Sequence, residues 1–159
     1  MFTVFQNGRF YYPDEAVIQP GYLIGNDGIV YTNSQREVKY YSQGIGRKLL
    51  DLPPESFKIS GERMAWTVQG NLYTTKRHII KHLGSGTVWY HVSDSFMMFQ
   101  DRYGSLQIYS DLAWIRPEMR PIKSYKAGRT LSAWINERNE FAIFHRHRVA
   151  YRLDYAPVS

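Results

Sequence analysis

The sequence predicts an α+β fold, mostly antiparallel β with two short helices, and three observations lead there. Aromatic residues make up 16% of the chain, and with β-branched residues they favour pleated, half-buried strands. Turn-forming pairs such as Asn7-Gly8 separate short apolar runs, the mark of hairpins. Two windows, 76–83 and 131–138, each follow a threonine and read as capped helices.

The elements follow in order. Phe2 to Gln6 and Arg9 to Tyr12 read as a hairpin, because a type I′ turn needs φ > 0 at both central residues and Asn-Gly tolerates it. A second hairpin is expected over Tyr22–Gly25 and Ile29–Thr32, and a third strand over Glu37–Tyr41. A turn of helix over Arg47–Leu52 is stopped by Pro53-Pro54. Phe57–Ile59 and Arg63–Val68 are strand candidates; Thr75 then caps the first helix, which Gly84 ends. Thr87–Val92, Phe96–Gln100 and Leu106–Tyr109 form a β-meander. Arg116–Arg129, with Pro117, Pro121 and Gly128, reads as a loop, Thr130 caps the second helix, and Phe141–Tyr155 is one long C-terminal strand. No repeat of fixed period is apparent. A chain of 159 residues supports one core, so 1–159 is expected to be a single compact domain.

Apolar residues at 43% exclude a disordered chain, and the absence of cysteine excludes disulfides and thiolate metal sites. The first residues lack a leader pattern and no run approaches ~18 apolar residues, so a soluble cytoplasmic protein without membrane contact is expected. The net charge of +6 favours polyanionic partners, whether nucleic acid or an acidic protein face.

The C-terminal strand carries the sharpest candidate. Alternation puts Arg146, Arg148 and Arg152 on one face, with same-face neighbours roughly 6.6 Å apart. That spacing is comparable with phosphates along an extended strand, and the guanidinium fork grips phosphate in bidentate fashion. The loop adds Arg116, Arg120, Lys123, Lys126 and Arg129 around Tyr125, and the first helix adds Lys76, Arg77 and Lys81. If these patches converge, the expected function is a non-enzymatic nucleic-acid-binding module that contacts the backbone rather than reading bases. The alternative is a small protein–protein module, an inhibitor or assembly factor of the phage-encoded kind, whose arginines and aromatics meet an acidic protein surface.

His78 and His82 at i, i+4, and His145 and His147 two apart, have spacings seen at metal sites, but no HExxH motif and no cysteine supports them, and no metal site is expected. No cofactor is expected otherwise, save Mg²⁺ under one catalytic alternative. Pro13-Asp14 with Glu37-Val38-Lys39 resembles the PD-(D/E)xK nucleases at those five positions. That resemblance implies that Asp14 and Glu37 share a divalent metal and that Lys39 steadies water or phosphate. His91-Val92-Ser93 is similar to half of the paired motif of 2H phosphoesterases, without the second copy that the acid/base chemistry needs. Gly21 to Tyr31 resembles the core of small DNA-binding modules beside phage homing endonucleases over eleven residues; the companion His-Asn-His motif is missing.

Overall fold

The computed structural model describes residues 1–14, 17–25, 28–76 and 79–153. Among them every regular element is a strand, which corrects the α+β expectation to all-β. β1 (Phe2–Gln6) and β2 (Arg9–Asp14) pair as a hairpin, turned by Asn7 and Gly8 at φ 51° and 76°. Sheet I holds β3 (Val17–Ile24), β4 (Ile29–Asn33), β5 (Val38–Ser42) and β6 (Ile45–Leu50). Sheet II holds β7 (Ser56–Ser60), β8 (Arg63–Val68), β9 (Asn71–Lys76) and β10 (Ile79–Ser85). Sheet III holds β11 (Trp89–Val92), β12 (Phe96–Gln100), β13 (Leu106–Ser110) and β14 (Trp114–Glu118). Sheet IV holds β15 (Ile122–Ala127), β16 (Leu131–Asn136), β17 (Phe141–His145) and β18 (Arg148–Leu153). Each of the four is an antiparallel meander whose spatial order is its sequence order.

The sheets stack face to face, each on the next. Val4, Tyr31 and Tyr41 bind the hairpin to sheet I. Val30, Tyr40, Met64 and Trp66 lie between sheets I and II. Leu72, Tyr90, Met97 and Phe99 join II to III, and Phe96, Met98, Trp134 and Phe144 join III to IV. Successive strand residues point to opposite faces, so Phe96-Met97-Met98-Phe99 serves two cores in alternation. Adjacent aromatics have the same cause. Tyr40 faces sheet II while Tyr41 faces the hairpin. Complete burial of a side chain such as Trp66 contributes about 3 kcal/mol.

A turn recurs between the second and third strands. The side-chain oxygen Oδ1 of Asn33 accepts the N–H groups of Gln35 and Glu37 at 3.1 and 2.9 Å. Asp101 does the same for Tyr103 and Ser105, and Asn136 for Arg138 and Glu140, all within 3.0 Å. The third residue beyond each has positive φ: Arg36, Gly104 and Asn139. Asn33, Asp101 and Asn136 are 68 and 35 residues apart, the skipped unit being sheet II, where Gln69-Gly70 makes a tighter turn. The chain is therefore built on a repeat that the sequence reading did not find.

Both helix expectations fail for identifiable reasons. Ile79 opens β10, paired antiparallel to β9, in place of a helix beginning at Thr75; Arg77 and His78 lie outside the described residues. In β16 the buried residues are Ser132, Trp134 and Asn136, so polar side chains occupy core positions and hide the two-residue period. Arg47–Leu52 is not a helical turn but contributes to β6. The long C-terminal strand is a hairpin: Arg146 and His147, both at positive φ, turn β17 into β18. Asp154 and Tyr155 lie outside the described residues.

Arg63, at the start of β8, is fully buried and rests its charge on Asp111 in the β13–β14 turn at 2.8 Å. Lys76 reaches the other oxygen of Asp111 at 2.6 Å. Partial burial raises the Asp111 carboxyl, but hydrogen bonds from Lys76 and Arg63 outweigh it and hold the group below the usual carboxylate range. Asp111→Asn leaves a buried guanidinium without its anion. The expected loss is about 2 kcal/mol at pH 7, discounted because Asp111 is half exposed. Since the folded pKa is depressed, the ion pair contributes above the unfolded carboxyl value and is lost as pH falls through the folded one. Urea midpoints at pH 7 and pH 3 check this: the wild type should lose more between them than the Asn variant.

Candidate functional site: the aligned first strands

The first strands of neighbouring sheets approach one another, β3 touching β7 and β7 touching β11. Each pairs on one side only, so its other edge carries unpaired backbone groups. Alternation decides what these strands present. On β7, Phe57 and Ile59 turn into the core shared with sheet I, which leaves Ser56, Lys58 and Ser60 directed at sheet III. Ser56 Oγ lies 2.7 Å from the Tyr90 hydroxyl, and Lys58 Nζ donates to the Tyr90 carbonyl at 2.6 Å while standing 4.3 Å from its ring centroid.

On β11 Tyr90 and Val92 are core, and Trp89 and His91 point to sheet IV. Trp89 stacks on Tyr125 of β15 with centroids 4.6 Å apart and planes 7° from parallel, and His91 meets the same ring edge-on. Burial lowers the pKa of Lys58. Burial, then the neighbouring Lys58 charge, lowers that of His91, so the imidazole is neutral near pH 7.

Polar ties close one end of these strands. Ser60 Oγ donates to Asp94 Oδ1 at 2.5 Å, and Arg129 Nε donates to Asp94 Oδ2 at 2.8 Å. The Ser60 hydrogen bond, and then Arg129, hold the Asp94 carboxyl below its usual range against desolvation. Ser93 and Ser95 both donate to the Arg129 carbonyl. Three consecutive sheets are thereby fixed in register around a surface of one exposed cation, one imidazole and stacked aromatic rings. Such a surface offers hydrogen-bond donors and flat apolar area to an extended ligand.

The basic residues singled out in the sequence do not converge. Arg146 sits in a turn, and Arg152 is held by Glu118 and Glu140 at 3.1 and 3.6 Å. Arg148 opens β18, the far edge of sheet IV, about 14 Å from β15, where Lys123, Tyr125 and Lys126 lie. Arg116 is on β14 of sheet III and Arg120 follows it, while Arg129 is paired with Asp94. Lys76 belongs to Asp111, and Lys81 lies over the Tyr109 and Trp114 rings.

Asp14, Glu37 and Lys39 do meet, but as an ion pair. Lys39 Nζ is 2.8 Å from Asp14 and 3.8 Å from Glu37, occupying the space between the carboxylates. Burial, then the Asp14 charge, pushes Tyr31 up to about 12. His82 bonds the Gly84 carbonyl, His145 lies on β17, and His147 Nδ1 is 2.9 Å from Ser110 Oγ. Among the described residues no group of three potential ligands gathers to hold a metal.

Sequence reasoning missed Lys58 and the parts that Trp89 and His91 play here. The signal available was the spacing of first strands, visible only once the repeat is seen.

Comparison with known proteins explains the architecture. Residues 1–113 match the family described as "10-bladed beta propeller domain". No curated protein sequence matches. Among solved structures, the CRINKLY WD40 ectodomain from the Arabidopsis thaliana receptor kinase ACR4 is similar, with a TM-score of 0.57 and 9% identity, over 96% of this chain and 56% of that one. The N-terminal domain of Nup159 is similar with a TM-score of 0.50 and 9% identity, over 90% of this chain and 46% of that one. The chain thus spans about half the length of these structures. The family match overturns the nucleic-acid and nuclease expectations together, and the candidate cations are dispersed, with Lys76, Arg129 and Arg152 paired to carboxylates.

The half-buried imidazole of His91 gives a direct check. In NMR titration His91 should deprotonate below the ordinary histidine value near ~6.5, and Lys58→Met should move its midpoint upward by removing the neighbouring charge. A midpoint at or above the ordinary value contradicts this geometry.

Proposed function

The chain belongs to the 10-bladed beta propeller domain family, and we propose that it works as a protein-interaction module whose ligand is an acidic, extended polypeptide segment. The observation that carries this reading is the run of first-strand side chains. Lys58, Lys123 and Lys126 form no ion pair with a described carboxylate, and they lie on β7 and β15, the first strands on either side of β11, while β11 and β15 supply the Trp89–Tyr125 stack. Lys123 is held only by the Asn139 amide oxygen.

A rigid aromatic pair supplies contact area at low entropic cost, and cations beside it select the sign of the ligand's charge. The net charge of +6 supports the same choice of partner. Chain elements that stack only on their neighbours give an extended platform, a form suited to binding rather than to enclosing a small molecule. This is the protein–protein reading of the arginine- and aromatic-rich sequence, relocated from the C-terminal arginines to the lysines of the first strands.

The test uses peptides of matched length that are rich in glutamate or in glutamine, with binding read by fluorescence anisotropy. The acidic peptide should bind more tightly and weaken as salt rises. Tyr125→Ala and the Lys58→Gln/Lys126→Gln pair should each cost at least about tenfold, or 1.4 kcal/mol. Equal affinity for the two peptides would remove the basis of the proposal.

A further inference from the structure

The joint between the β1–β2 hairpin and sheet I is filled at its middle and open at the outer strands. Register puts five residues of sheet I on the face that receives the hairpin. Tyr31 of β4 lies opposite Lys39 of β5, Lys39 opposite Lys48 of β6, and Tyr41 of β5 opposite Gly46 of β6. Tyr31 and Tyr41 pack on the hairpin with Tyr11. Gly46 has no side chain to add. Here a cavity of about 340 Å³ opens between β2 and the outer strands, walled by Tyr11, Pro13, Tyr41, Lys39 and Lys48. The turn before β6 needs its glycine, because φ at Gly44 is 81°. Position 46 has no such need. A Cβ there would stand 3.9 Å from Tyr41 Cδ2, an ordinary contact, on a backbone that any residue adopts. A strand glycine required neither by conformation nor by crowding marks close approach of a ligand, and the cavity has the size of a small-molecule site.

The chemistry of the wall selects the ligand. The Tyr11 and Tyr41 rings, with centroids 5.9 Å apart, and Pro13 give flat apolar surface. Lys39 and Lys48 give donors. Lys39 Nζ bonds Asp14 at 2.8 Å and Lys48 Nζ reaches Asp51 at 2.8 Å, with Glu37 at 3.8 and 3.5 Å from the two. An ammonium carries three N–H groups, so each lysine retains donors for a further oxygen. Their charge, however, is already balanced. Asp14 and Glu37 are 15% and 25% exposed and answer the two cations, while Asp51 is 87% exposed and counts for little. An entering ion would meet no uncompensated opposite charge. The wall fits an uncharged ligand with oxygen acceptors set on a carbon ring.

We propose that this cavity binds a neutral sugar, one hexopyranose ring, whose C–H face lies against the tyrosines and whose hydroxyl oxygens accept hydrogen bonds from Lys39 and Lys48. The inference goes beyond the acidic-ligand reading and does not rest on it. Three strand spacings, roughly 14 Å, separate β6 from β3 and the open first-strand edge. The two sites therefore fill separately, and their electrostatics differ: a neutral sugar is indifferent to salt, whereas an acidic peptide is not.

Saturation-transfer NMR with the methyl glycosides of glucose, galactose and mannose, and with N-acetylglucosamine, tests this. At least one should bind in the millimolar range and shift the amide signals of Gly44, Gly46 and Lys48, whatever the salt concentration. Gly46→Val should fill the cavity and abolish sugar binding, while circular dichroism and the acidic-peptide affinity stay as in the wild type. Lys48→Met, at a half-exposed position, should weaken sugar binding about tenfold, and Lys48→Arg, which keeps donors, by less. The amide shifts in the unaltered chain need no variant to fold. Sugar binding that survives in a folded Gly46→Val chain overturns the proposal. So do silence from all four sugars, shifts centred on other residues, tighter binding of glucuronate or glucosamine than of the neutral sugars, and an affinity that falls with salt. Sugar binding without any preference for the glutamate-rich peptide would sink the acidic-ligand reading alone, and the reverse result this inference alone.

Discussion

Two-sided burial is the constraint from which the rest of this structure follows. A four-stranded meander of short strands is too thin to own a core, so each sheet gains its stability by covering both faces with neighbours. The residues of β12 show the demand on sequence: four consecutive large side chains, alternately committed to the core with sheet II and the core with sheet IV. The same demand explains the adjacent aromatic pairs, in which each ring serves a different interface. It also explains why stability is expected to pass from sheet to sheet, as in other architectures whose units touch only their neighbours.

Apolar stacking alone leaves the relative rotation and height of the sheets loosely specified, and the polar ties supply that information. Arg63 reaches from sheet II to Asp111 of sheet III, Ser60 and Arg129 converge on Asp94, and Trp134 Nε1 donates to Glu118 across the sheet III–IV boundary at 2.9 Å. Each joins consecutive sheets, and all but the largely exposed Arg129 are partly or wholly withdrawn from water, so a slip of one residue would leave charge or hydrogen-bonding capacity unsatisfied. The first strands are aligned by these ties, and their alignment places Lys58, His91 and the Trp89–Tyr125 stack on one continuous edge.

The same logic separates two kinds of surface. Edges of the first strands are polar and aromatic, with cations that lack carboxylate partners among the described residues, and suit a ligand of opposite charge. The cavity beside Gly46 is walled by tyrosines and by lysines whose charge is balanced, and suits an uncharged one. Several cationic side chains elsewhere are taken up by neighbouring carboxylates or aromatic rings, as with Arg152, Lys76 and Lys81. For that reason a formal charge of +6 does not translate into a phosphate-binding stripe.

Local chemistry was legible in the sequence wherever it acts over a few residues. The Asn7-Gly8 hairpin, the strands around Tyr31, Tyr40 and Trp66, and the meander from Trp89 to Tyr109 follow from turn residues and β propensity. What stayed hidden depends on partners distant in the chain. Ser132 and Asn136 are core residues only because a neighbouring sheet covers them and a recurring turn satisfies Asn136, so their period-two pattern was masked by polarity. Arg146 and His147 were read as part of a strand because positive φ at two non-glycine residues leaves no compositional trace. The sequence by itself determined strand-forming runs, turn positions and net charge, since these are properties of neighbouring residues. Only the tertiary structure decided which faces were covered, which cations were neutralised and which aromatics met, because burial and ion pairing belong to pairs of segments and not to either one alone.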